Sequence, residues 1–155
     1  MNYASSVYGP ISIDLDAQTM TNPAGGTDKV VSFEHIRGTP LADTMFGDNN
    51  ANRLVGNNGN DQLSGRAGND VLDGGEGDDT LKGGGDSDRL VGGNGEDRLE
   101  GGPGIDTLDF TIPLSLPEAG ALVFLRTGRV RDPWGTVDQA DEIENVKGTP
   151  NNDRI

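Results

Sequence analysis

Glycine recurs at every ninth residue from Gly38 to Gly101, and the interval holds without an insertion. Cut at those glycines, residues 38–109 read GTPLADTMF, GDNNANRLV, GNNGNDQLS, GRAGNDVLD, GGEGDDTLK, GGGDSDRLV, GGNGEDRLE and GGPGIDTLD. Position six is Asp43, Asn52, Asp61, Asp70, Asp79, Asp88, Asp97 and Asp106. Position eight is Met45, Leu54, Leu63, Leu72, Leu81, Leu90, Leu99 and Leu108. Three columns fixed over eight successive units are not an accident of composition. They require an architecture in which each unit stacks on its neighbours.

Composition alone points elsewhere. Apolar residues make up 32 % of the chain, and 26 acidic against 12 basic side chains leave a net charge of −14. Low hydrophobicity with high net charge is the signature of disorder in water. Disorder does not need a leucine at every ninth residue, so something other than a large core supplies the folding energy. The acidic balance argues against nucleic acid as a partner, because phosphate is repelled. Multivalent cations are the natural counter-charge. With no cysteine, neither a disulfide framework nor a thiolate site is available, and metal is the remaining staple for a thin core. The first ten residues, MNYASSVYGP, lack the basic and apolar regions of a signal peptide. No apolar run is long enough to span a membrane.

Before the array, Ile11 to Leu15 alternates with Ile11, Ile13 and Leu15 on one face, a strand pattern. Gln18 to Gly26 reads as turn and loop. Lys29 to Arg37 reads as a second strand region carrying Val31, Phe33 and Ile36. In the phase of the array it is also a degenerate unit, with Glu34 at position six and Ile36 at position eight, and is expected to cap the stack. Residues 110–147 repeat this segment at an offset of 110. Leu122–Leu125 falls on Ser12–Leu15, Asp138 on Asp28, Glu144 on Glu34 and Val146 on Ile36; Gly148-Thr149-Pro150 then repeats Gly38-Thr39-Pro40. The expected organisation is a β-rich linker or cap (1–37), the array (38–109), a second linker (110–147) and the onset of a second array (148–155). The chain is expected to be a fragment of a longer protein.

Within one unit, glycine at positions one, two and four allows positive φ, so the first six residues read as a turn with inward carbonyls. The last three read as a minimal strand with position eight inward. Arg53, Gln62, Thr80, Lys82, Arg89, Arg98 and Glu100 then face solvent. Two units make one coil of 18 residues, and stacked coils give two parallel sheets. Position-six side chains eighteen residues apart become neighbours: Asp43/Asp61, Asn52/Asp70, Asp61/Asp79, Asp70/Asp88, Asp79/Asp97 and Asp88/Asp106. Bare stacked carboxylates repel one another. With turn carbonyls around a cation they form an all-oxygen cage that suits calcium, whereas magnesium favours octahedral geometry with retained water. Zinc favours His or Cys, and the chain has one His.

The units resemble the haemolysin-type calcium-binding nonapeptide repeats of RTX proteins, GGxGxDxUx with U a large apolar residue. The linker residues IDL, GGTD and FEHIRGTPLAD also resemble the segments that introduce such arrays. The resemblance implies an all-β fold, a parallel β-roll or right-handed β-solenoid, that is unfolded without calcium and folded with it. It implies type I secretion from a Gram-negative bacterium and folding outside the cell; the family's C-terminal export signal is not visible, as expected of a fragment. It further implies side-chain ligands at Asp61, Asp70, Asp79, Asp88, Asp97 and Asp106, with Asp43 and Asn52 weaker. Carbonyl ligands are implied at Gly56, Gly59, Gly65, Gly68, Gly74, Gly75, Gly77, Gly83, Gly84, Gly92, Gly93, Gly95, Gly101, Gly102 and Gly104. About four to six calcium ions follow, the best sites lying within units three to eight. Six ions bring about +12 against the net −14, so folding and binding should be coupled.

The units depart from the pattern at Leu41, Asn50 and Asp86 (position four) and at Arg66 (position two). His35 has Asn145 as its counterpart, and no hydrolase or nucleotide motif is present, which argues for a non-enzymatic module. Trp134 and Phe124, with Arg126, Arg129 and Arg131, support an alternative: an adhesin or polysaccharide-binding segment. A third reading is the accessory module of a secreted hydrolase or protease. Expected partners are neighbouring domains, the secretion machinery and, in the alternative, extracellular polysaccharide.

Overall fold

The computed structural model describes residues 9–22, 24–111, 122–124, 128–133 and 135–148. Trp134, Arg126 and the second-array residues 149–155 lie outside this set. In chain order the strands are β1 (Ser12–Asp14), β2 (Thr19–Thr21), β3 (Thr27–Lys29), β4 (His35–Arg37), β5 (Thr44–Phe46), β6 (Arg53–Asn58), β7 (Gln62–Ala67), β8 (Val71–Glu76), β9 (Thr80–Gly85), β10 (Arg89–Asn94), β11 (Arg98–Glu100), β12 (Thr107–Asp109), β13 (Leu122–Phe124), β14 (Arg129–Arg131), β15 (Val137–Asp141) and β16 (Asn145–Lys147). The described residues contain no helix.

The array strands alternate between two sheets. One contains β5, β7, β9 and β11, the other β4, β6, β8, β10, β12 and β16. Every neighbouring pair in these runs is parallel. Within the array each residue pairs with the one eighteen positions on, as Leu54 with Leu72 and Leu63 with Leu81. A coil is therefore two units, and eight units make a β-solenoid of four turns. The Leu column fills the space between the sheets. Leu54, Leu72, Leu81, Leu90, Leu99 and Leu108 are fully buried, each contributing about 1.5–3 kcal/mol of transfer free energy.

The strands run past their expected ends. In β6 to β10 they cover positions seven, eight and nine and then positions one to three of the next unit. Position one is thus a strand residue, buried and without positive φ, and not part of a turn. Its glycine is required for a different reason, given below. Of the outer positions, Val91 and Asp109 are buried.

The flanking segments share one design. β1, β2 and β3 form an antiparallel meander that joins the array through β1, paired in parallel with β5. β13, β14 and β15 form the same meander 110 residues later, but it joins through its last strand, β15, paired with β11. β4 and β16 also differ by 110 and stack at opposite ends of the second sheet. The expected loop at 18–26 holds a strand, β2, because Thr19-Met20-Thr21 alternates and Met20 is fully buried. On either side of β2, Gln18 closes a turn on the Leu15 carbonyl, and the Asn22 side chain accepts from the Ala24 and Gly26 N–H groups. In the next segment Val30 and Ile36 are core residues and Phe33 packs against the core, while Val31 is 47 % exposed.

Candidate calcium site

The position-six side chains form two ladders inside the turns, one along each edge. In the first are Asp43, Asp61, Asp79 and Asp97; in the second Asn52, Asp70, Asp88 and Asp106. All eight residues are buried. Each carboxylate from Asp61 onward uses Oδ1 to accept the backbone N–H of the position-six residue eighteen earlier, at 2.7–2.9 Å. That bond locks the side chain against the turn beneath it.

The other oxygen has no such partner. Oδ2 of Asp61, Asp70, Asp79, Asp88, Asp97 and Asp106 is buried without a hydrogen bond. Each lies against the position-one glycine of its own unit. A Cβ on Gly65 would stand 2.1 Å from Asp70 Oδ2 and 2.7 Å from the Gly83 carbonyl oxygen. The same pairing recurs for Asp61 with Gly74, Asp79 with Gly92 and Asp88 with Gly101. A carboxylate oxygen and a carbonyl oxygen thus converge where neither can donate. A buried acceptor in this state costs free energy unless a proton or a cation joins it. The position-one glycine is needed because any side chain would fill this gap.

Burial raises these carboxyls in the metal-free protein. Desolvation is the largest cause throughout, with neighbouring carboxylates adding to it. Asp79 is pushed up to about 8, Asp61 and Asp70 to about 7, and Asp88 and Asp97 to about 6; Asp106 is also raised.

Asp43 and Asn52 share the location and not the chemistry. Asp43 Oδ2 accepts the Thr39 N–H, and its Oδ1 accepts Thr39 Oγ1 and the Ile11 N–H. Asn52 Oδ1 accepts the Asp48 N–H, and its amide donates to Glu34 and Asp48. Position two explains the difference. In units three to eight it has positive φ, at Asn57, Arg66, Gly75, Gly84, Gly93 and Gly102. Thr39 and Asp48 do not, and their N–H groups bind the side chain at position six.

Positions two and four also set how the turns nest. A Cβ on Gly75, Gly84, Gly93 or Gly102 would lie 2.0–2.2 Å from the position-two carbonyl oxygen of the turn beneath. At position four, Gly77 and Gly95 meet the carbonyls of Gly59 and Gly77 in the same way, Gly104 meets that of Asp86, and Gly59 and Gly68 meet the backbone of residues 41–42 and 50–51. Asp86 takes φ 76° without a Cβ-free residue. Asn57 and Arg66 are tolerated at position two because the turns below them are the atypical first two. Their side chains donate to the Gly38 and Gly47 carbonyls at 2.7 and 2.6 Å. Arg66 also forms a bidentate pair with Asp14 and lies over the Phe46 ring. Its departure from the repeat fastens the N-terminal meander to the array.

Among the described residues no three His, Cys, Asp or Glu side chains converge. A metal held here would take carboxylates in pairs and complete its shell with backbone oxygens. That all-oxygen set fits calcium and lacks the nitrogen and sulfur donors zinc favours. The geometry also contains a carboxylate the repeat pattern does not announce. Asp138, in β15, is buried, accepts the Asp97 N–H through Oδ1 and has a bare Oδ2. Its only sequence signal is the 110-residue correspondence with Asp28.

No curated protein sequence is significantly similar to the chain. A family model described as the RTX calcium-binding nonapeptide repeat matches residues 37–72, 46–81 and 73–108, with four copies. The first two matches are offset by nine residues, as expected of units that each fit the same pattern. The chain therefore carries an RTX calcium-binding nonapeptide-repeat array, folded as a parallel β-roll.

Proposed function

We propose that the roll is a non-catalytic module that folds when calcium fills the two aspartate ladders. Asp61, Asp70, Asp79, Asp88, Asp97 and Asp106 supply the side-chain oxygens, and the position-one carbonyls of Gly74, Gly83, Gly92 and Gly101 supply backbone oxygens. The observation that carries this reading is the set of six buried Oδ2 atoms without a donor. Four ions lie between units three to eight. Asp43 and Asn52, with Gly56 and Gly65, make the two outer sites, which bring the total to six and are weaker because protein groups already occupy their oxygens. Equilibrium dialysis with calcium tests the count: four to six ions are expected from the eight units of the array, and fewer than two ions per chain would overturn the reading.

Calcium-dependent folding suits a secreted protein that crosses the type I export machinery unfolded and folds outside the cell, stabilising the domains joined to it. No helix among the described residues is long and apolar enough to cross a membrane. A second reading, a polysaccharide-binding segment, is favoured by the exposed Arg129 and Arg131 on β14. Glycan-array binding lost on replacing both arginines would support it.

A further inference from the structure

We infer that Asp97 and Asp138 form a calcium site across the junction between the roll and the second linker, so that calcium clasps the linker to the roll. The inference rests on the calcium-filled ladders proposed above. The first ladder does not stop at unit seven. Asp97 donates its N–H to Asp138 Oδ1 at 3.1 Å, the bond that each lower rung makes with the next. Asp138 Oδ2 is buried without a partner, like the Oδ2 atoms of units three to eight. Asp138 is 2 % exposed, although it belongs to no nonapeptide.

The linker places it by strand pairing. Gln139–Asp141 of β15 pair in register with Arg98–Glu100 of β11, so Asp138 stands over Asp97 as Asp97 stands over Asp79. Around the pair are Asp132, also buried, and Glu96. The Asp132 carboxylate is occupied by the Gly135 and Thr136 N–H groups and the Thr136 hydroxyl, so it adds charge and not a free ligand. An open cleft of about 530 Å³, lined by Glu96, Arg129, Val137, Asp138 and Gln139, gives the ion a route from solvent.

The N-terminal linker is an internal control. Asp28 is the residue equivalent to Asp138, yet it is exposed and bonded to the Asn22 side chain. It lies on β3, at the edge of its sheet, with no array strand paired to it. The same residue in the same meander is thus buried with a bare oxygen only where a roll packs against it. The second ladder ends differently, on Glu144, which accepts the Asp106 N–H but is itself exposed.

The test compares Asp138→Asn and Asp28→Asn in the full chain by equilibrium dialysis with calcium, with trypsin cleavage after Arg129 and Arg131 followed in parallel. Asp138→Asn is expected to bind one ion fewer than the unmodified chain and to be cut faster at both arginines in saturating calcium. Asp28→Asn is expected to change neither. An unchanged ion count in Asp138→Asn overturns the junction site alone, whereas an unmodified chain that binds no calcium overturns the ladder reading itself. Should Asp138→Asn not fold, a crystal structure of the unmodified chain with calcium decides: density for an ion between Asp97 and Asp138 supports the site, and filled roll sites with none there overturn it.

Discussion

The turns of the first two units and those of the next six carry the same column of buried side chains, yet they treat that side chain in opposite ways. Asp43 and Asn52 have both polar atoms bound by protein groups, while Asp61 to Asp106 each leave Oδ2 bare. The turns of the first two units satisfy their own buried side chains; those of the next six leave one oxygen each without a partner. An incomplete polar interior is a poor way to build a static fold, but it is what a ligand-dependent fold requires, since the ligand then supplies folding free energy. The self-satisfied turns lie at the end where the N-terminal meander docks. That end has a finished platform on which the coils with bare carboxylate oxygens stack.

The largest effect expected from this contrast is between Asp79→Asn and Asp43→Asn. Asp79 faces two neighbours, Asp61 and Asp97, so its neutralisation should weaken calcium binding roughly 10-fold or more. Asp43→Asn should change it less than about 3-fold, since protein donors already satisfy that carboxylate. Calcium titration calorimetry reads both, and equal losses would erase the distinction. Next is Gly65→Ala, which drives a methyl into the Asp70 Oδ2 and Gly83 carbonyl gap. Overpacking of this kind costs about 1–3 kcal/mol. Gly85→Ala meets only one atom, at 3.9 Å, and should stay within about 0.5 kcal/mol. Urea unfolding in saturating calcium separates the two. The smallest is Arg66→Ala. It loses a part-buried ion pair with Asp14 and the bond to the Gly47 carbonyl, worth about 1 kcal/mol, and the loss should appear as faster hydrogen exchange in Ser12–Asp14.

Acidification acts on the bare carboxylates of units three to eight. In the metal-free protein the bare carboxyls are raised above their ordinary value, mainly by burial, to about 6 at Asp88 and Asp97 and about 8 at Asp79. A folded state that holds protons more tightly than the unfolded one gains stability as pH falls. That contribution is present in full below about pH 4 and is lost as pH rises through 6 to 8. Without calcium, strand content should therefore be higher at pH 4.5 than at pH 8, by circular dichroism. With calcium the order reverses, because protons compete for the same oxygens.

The period of nine carried most of this architecture. Alternate-sheet stacking, the pairing of residues eighteen apart, the Leu core and the two aspartate ladders all follow from columns at positions one, six and eight. What it did not carry was local. Position one looked like a turn glycine, and it is a strand residue kept bare for a carboxylate. β2 was hidden in a polar stretch because its single core residue, Met20, has threonines on either side. The separate character of Asp43 depends on the φ of Thr39, which no side-chain pattern records. Asp138 was invisible as a ladder member because it follows Asp97 by 41 residues and not eighteen, and its place is set by the β15–β11 pairing.

Far-ultraviolet circular dichroism during a calcium titration at pH 8, begun in excess chelator, reads the coupling of folding to calcium. Folding coupled to calcium gives a disordered spectrum in chelator, a cooperative rise of strand signal with calcium and no comparable rise with magnesium. A full strand spectrum already present in chelator, unchanged by calcium, would contradict it.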